Sequence, residues 1–228
     1  MTHLQEELKF LRENLSEMAK LVGSQLQKSY CALQDKDVDL ANEVIVNEKR
    51  VNASELKIDK DCEHIFALLN PVAHDMRFVF ATLKINADLE RIGDYAEGIA
   101  KLALMTNMTY DNSLLEKLEL KKMHDTATVM MKDVTQAYCD DDSKLARSIF
   151  TKDLILNDIN HKSTDRVAEY CKENLDKIAP ALYILSIVRK MERVGDHLTN
   201  IAEEVIFYKE AKVMRHRKKM DDNDEIEE

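Results

Sequence analysis

The sequence predicts an all-α protein built as two tandem three-helix bundles, six long antiparallel helices related by internal duplication. Three observations predict it. The 228 residues include only four glycines and two prolines, too few for the tight turns that β-rich folds consume. Apolar residues recur in steps of three and four through six stretches of roughly 25 to 35 residues, the period of a helix with one buried face. Finally, Glu90-Arg91-Ile92-Gly93-Asp94 returns 102 residues later as Glu192-Arg193-Val194-Gly195-Asp196, each copy followed at the same offset by an Ile-Ala pair.

The elements follow from the breaks between them. Asp, Asn, Ser and Pro cluster at Gln34–Asp37, Asn70-Pro71, Asn107–Ser113, Asp140–Ser143 and Asn174–Pro180, where they serve as stop and N-cap signals. The first stretch carries one apolar stripe, Leu4, Leu8, Leu11, Leu15, Met18 and Val22; the fourth carries another, Leu120, Met123, Ala127, Met130, Val134 and Ala137. Both read as plain structural walls. The second stripe runs Ala41, Val44, Glu48, Val51, Glu55, Ile58, Cys62, Ile65, and the fifth repeats it 105 residues on as Ala146, Ile149, Asp153, Leu156, Asn160, Ser163, Val167, Tyr170. The second and fifth helices are therefore duplicates, as are the third and sixth. The expected division is 1–109 for the first bundle, 110–214 for the second, and 215–228 for a charged, disordered tail.

Each copy plants an acid in an otherwise apolar seam, Glu48 and then Asp153. A carboxylate there must be paired, hydrated or neutralised, because burying it bare costs several kcal/mol. On the third helix Glu90, Asp94 and Glu97 form a row beside the apolar stripe, matched on the sixth by Glu192, Asp196 and Glu203, with Thr199 in the place of Glu97. Residues four apart on a helix sit about 5–6 Å apart at Cβ, so each Glu/Asp pair can aim at one point. If the second and third helices face each other, one half gathers Glu48, Asn52, Glu90 and Asp94. The other gathers Asp153, Asn157, Glu192 and Asp196. Oxygen donors of this kind suit Mg²⁺, Mn²⁺, Ca²⁺ or iron. Each block's glycine costs roughly 1 kcal/mol of helix propensity and clears room for a close neighbour. The competing explanation is a structural salt-bridge network, with Arg91 and Arg193 neutralising acids on a neighbouring helix.

Other chemistry is excluded more firmly. A net charge of -10 leaves no basic footprint for nucleic acid. No run approaches the roughly 18 apolar residues of a membrane span, and the charged, periodic N-terminus is not a signal peptide. Cys31, Cys62, Cys139 and Cys171 are far apart, which predicts reduced thiols in a cytosolic protein. The histidines do not converge for zinc; only His197 lies beside a block, on a different face from Asp196. No Glu-x-x-His of a di-iron bundle occurs, and no phosphate-binding loop or nucleophile elbow. Three classes stay open: a regulatory binding protein, a metal-dependent phosphate-ester hydrolase, and a metal-free helical scaffold.

The two blocks, Asp88–Ala100 and Met191–Ala202, together with Asn70–Arg77 and Asp37–Ala41 with Glu48 and Asn52, resemble the PhoU family over nearly the whole chain. The resemblance implies two three-helix bundles and metal clusters held by Glu/Asp-x-x-x-Asp pairs, which carry to Glu90/Asp94, Glu192/Asp196, Glu48/Asn52 and Asp153/Asn157. The last two depart from the family by Asn in place of the second Asp; Gly98 stands where the second repeat has Asn200. Mg, Mn, Fe or Zn are the cations implied. The resemblance also implies a non-catalytic, cytoplasmic regulator of phosphate uptake, touching the transporter ATPase and a sensor histidine kinase. It would reach the membrane at most peripherally, through the transporter, with a homodimer possible and no nucleic-acid partner.

Overall fold

The computed structural model describes residues 2–105 and 110–213. The tail from Arg215 onward lies outside the described residues, as do positions 106–109. Within them the chain is helical, with seven α-helices and a single 3-10 turn at Leu175–Lys177: α1 (His3–Asp35), α2 (Val38–Leu68), α3 (His74–Met105), α4 (Asn112–Lys117), α5 (Leu120–Asp140), α6 (Ser143–Glu173) and α7 (Ile178–Glu210). The periodic stripes account for the six long ones. Leu11, Leu15, Met18 and Val22 of α1 are buried, as are all six stripe residues of α5.

Local chemistry sets the joints. Thr2 and Gln5 form a reciprocal capping box at the start of α1, satisfying two of the amides that a helix start leaves open. The α1–α2 turn places Lys36 in the left-handed region (φ 57) and then caps α2 with the Asp37 carboxylate, which accepts from Leu40 N–H at 2.9 Å. The α5–α6 turn does the same with Asp141 (φ 55) and Asp142, which accepts from Leu145 N–H at 3.0 Å. The returning amides bond to Ala32 and Ala137 carbonyls, 105 residues apart.

The expected fourth stretch is broken in two. Leu114, Leu115, Leu118 and Leu120 are all buried, and a straight helix cannot turn Leu118 and Leu120 toward the same core, since successive residues rotate by about 100°. The chain resolves this at Glu119, which adopts φ 51 and whose carboxylate forms an ion pair with Arg166 Nη1 at 2.6 Å.

Helices α2, α3, α7 and α6 lie side by side in that order, backed by α1 and α5. At the centre α3 and α7 run antiparallel: Lys84 meets Glu204 at 3.0 Å, Asp88 meets His197 at 2.7 Å, and Lys190 covers Gly98. The two halves are thus related by a local two-fold axis through this pair. One hydrophobic cluster, from Leu11 to Tyr208, draws on both halves.

Candidate functional site

The repeated glycines lie against the stripe acids of the neighbouring helix. A Cβ built on Gly93 would meet Val51 Cγ1 at 3.0 Å and Glu48 Oε2 at 3.3 Å; one on Gly195 would meet Asp153 Oδ1 at 2.7 Å and Leu156 Cδ2 at 2.8 Å. Both blocks therefore use their glycine to admit a carboxylate and an aliphatic side chain from α2 or α6. The facing of the second and third helices expected from sequence holds in both halves, with Glu48 against Gly93 and Asp153 against Gly195.

Glu48 is 6% exposed, and its Oε1 accepts no hydrogen bond among the described residues. Burial, with Asp94, Glu97 and Glu90 close by, pushes its carboxyl up to about 7, opposed in part by Lys101. Glu90 is also raised, by burial and then by Asp94, with Arg91 opposing. Glu55, one helical row further along α2, is raised by burial and by Asp59. In the second half Glu192 is raised by burial and by Asp196, again against an arginine, Arg193. Three carboxylates in the first half and Glu192 in the second thus hold their protons more tightly than usual, which is the electrostatic signature of acids crowded at a partly dry place.

The arginines do not reach across to a neighbouring helix for their hydrogen bonds. Arg91 Nη1 donates to Asp94 Oδ2 at 3.1 Å and its Nε lies 3.6 Å from Glu90; Arg193 repeats this with Asp196 at 3.2 Å and Glu192 at 3.8 Å. Each arginine straddles its own block's acid pair. The asparagines also separate. Asn157 donates its amide to Asp153 Oδ2 at 2.8 Å and so serves the acid as a hydrogen-bond donor, whereas Asn52 lies exposed one turn from Glu48.

As the side chains stand, no three His, Cys, Asp or Glu groups among the described residues converge on one ion. The donor chemistry nevertheless fits a hard cation. Glu48 and the neighbouring Glu90 and Asp94 supply carboxylate oxygens, Gly93 leaves room beside Glu48, and the pair would have to turn from Arg91 to close on an ion. His197, which the sequence places off the Asp196 face, turns into the central seam. Its Nδ1 meets Asp88, and Asn200 donates to the same Asp88 oxygen at 3.2 Å. No local spacing signals this contact, because it joins residues 109 apart.

The PhoU domain model matches residues 15–103 and 120–205. The chain belongs to the PhoU family. It is 33% identical over 210 residues to the phosphate-specific transport system accessory protein PhoU of Escherichia coli K12, covering 92% of this chain and 86% of that one. A Burkholderia PhoU homolog is likewise 33% identical, over 88% of this chain and 86% of its own length. Among solved structures, PhoU from Pseudomonas aeruginosa superposes with a TM-score of 0.84 at 29% identity, covering 92% of this chain and 100% of that chain. The phosphate transport system regulatory protein PhoU from Streptococcus pneumoniae gives 0.83 at 25%, covering 93% and 99%. The two matched PhoU segments correspond to the two halves defined by the glycine–carboxylate contacts. Among the described residues no helix is long and apolar enough to cross a membrane.

Proposed function

We propose that this chain is a cytoplasmic regulatory protein of phosphate uptake and phosphate-starvation signalling, acting by binding rather than by catalysis. The observation that carries this is the full-length likeness: both PhoU segments are present, and relatives 33% identical over about nine-tenths of the chain are named accessory proteins of the phosphate-specific transport system. Its partners are the transporter ATPase and a sensor histidine kinase, each restrained by contact with the helical surface.

In the same proposal the acid faces hold cations. Glu48, Glu90 and Asp94 would ligate in the first half, and Asp153, Glu192 and Asp196 in the second, with Asn52 and Asn157 at the margins. A bound Mg, Mn, Fe or Zn ion would neutralise the crowded carboxylates and offer positive charge to an acidic or phosphate-bearing partner. Co-precipitation of the purified chain with the ATPase and with the cytoplasmic part of the kinase from the same organism tests the regulatory role. Binding of at least one is expected. Failure of both to bind overturns it.

A further inference from the structure

The two acid sites occupy equivalent places in the two halves, yet their surroundings differ. Registering Gly93 on Gly195 and Glu48 on Asp153, as the contacts require, aligns Glu97 with Thr199, Glu55 with Asn160 and Asp59 with Thr164. Glu97 acts on Glu48 directly, and Glu55 on Glu90. Thr199 instead spends its hydroxyl on the Asp196 carbonyl at 2.7 Å. The second half thus lacks the added carboxylates that flank the first.

One substitution runs the other way. Lys101, bonded to Glu97 at 2.6 Å, aligns with Glu203. Position along the helix decides its weight: at about 1.5 Å per residue, Glu97 stands some 4.5 Å along the axis from Asp94, whereas Glu203 stands about 10 Å from Asp196. Glu203 stands as far from its acid pair as Lys101, which still acts on Glu48, so it offsets part of the loss of Glu97 and Glu55 without replacing them beside the pair. Asn157 also donates to Asp153 Oδ2, whereas Asn52 lies exposed and gives Glu48 no such bond.

We infer that the two halves are unequal cation sites, the Glu48 site filling first and the Asp153 site only at higher concentration, with Glu97 and Glu55 setting the difference. This rests on the cation proposal above. It gives the protein two thresholds for one kind of ion rather than two copies of one response. The second site would become charged or discharged within the range where the first is already full.

The test is a Mn²⁺ titration of the full chain, with free ion read from its EPR signal, and thermal melting of every variant to confirm folding. Wild type should show two classes of site separated at least tenfold in Kd, about 1.4 kcal/mol. Glu48→Gln should remove the tight class and leave the weak one; Asp153→Asn should do the reverse. Asn160→Glu with Thr199→Glu should bring the weak class to within a few-fold of the tight class. A single class shared by both halves, or a tight class that survives Glu48→Gln, overturns the inequality while leaving cation binding in place. No bound Mn²⁺ at millimolar ion in wild type overturns the cation proposal itself, and the inequality with it.

Discussion

The first and second halves agree at their joints and disagree at their charges. Both turn from the first helix into the second through a left-handed residue followed by a capping aspartate, Lys36-Asp37 and Asp141-Asp142. Both also bring a tyrosine hydroxyl to the same backbone position. Tyr110 donates to the Leu33 carbonyl and Tyr208 to the Tyr138 carbonyl, 105 residues further on. The two tyrosines are not aligned in the repeat: one lies in the linker, the other near the end of α7. The need for a donor at that helix end has been kept while the residue supplying it has changed, because an open buried carbonyl is expensive whichever residue closes it. Charged surface positions carry no such penalty, and there the halves have drifted.

Four substitutions can break or sharpen that comparison. Arg12 has no counterpart in the second half, since its aligned position, Lys117, lies in α4. It donates to the Tyr138 and Cys139 carbonyls, pairs with Asp141 at 2.9 Å, and stacks over Phe78 at 4.6 Å. Arg12→Ala should therefore cost about 2–3 kcal/mol in urea unfolding, because the carbonyls and Asp141 lose a shared partner. A loss under about 1 kcal/mol would show that the halves are pinned elsewhere.

The glycines give the next effect. Gly195→Ala forces a methyl within 2.7 Å of Asp153 and 2.8 Å of Leu156, where Gly93→Ala meets its nearest atom at 3.0 Å. Alanine returns up to about 1 kcal/mol of helix propensity. The second-half change should destabilise by about 1–2 kcal/mol and the first-half change should be near neutral. Equal losses would mean that the two cradles are equally tight.

The smallest effect concerns pH, measured with chelator present. Glu48 holds its proton up to about 7, against an ordinary value near 4.5. The folded state therefore binds more protons than the unfolded state between those values, and wild-type stability falls as pH rises through that window. Glu48→Gln should remove this fall, leaving the variant more stable than wild type by roughly 1 kcal/mol at pH 8 and close to it at pH 4.5. Identical pH profiles would show that Glu48 is solvated or paired in solution.

Much of this architecture was legible in the residues. Stripe periodicity placed the six long helices, and the glycine opposite an in-stripe acid located the close approach of α2 to α3 and of α6 to α7. The missed features share one physical cause. Glu119 in the left-handed region, the seam contact of His197 with Asp88, and the reach of Arg12 to Tyr138 are each decided by tertiary packing, and residue type or spacing carries no mark of it. The arginine of each block was visible as a charge. That it would fold back onto its own acids depended on rotamer and exposure, which a sequence does not display.

The seam between α3 and α7 has one more consequence. Lys84 of one half holds Glu204 of the other, but the aligned residues are Ser186 and Leu102. Asp88 takes His197 and Asn200, while its own counterpart, Lys190, lies over Gly98 beside Tyr95. Each half has become fitted to its sibling and unfitted to a second copy of itself. The molecule is in effect a heterodimer whose two unlike subunits are delivered on one polypeptide.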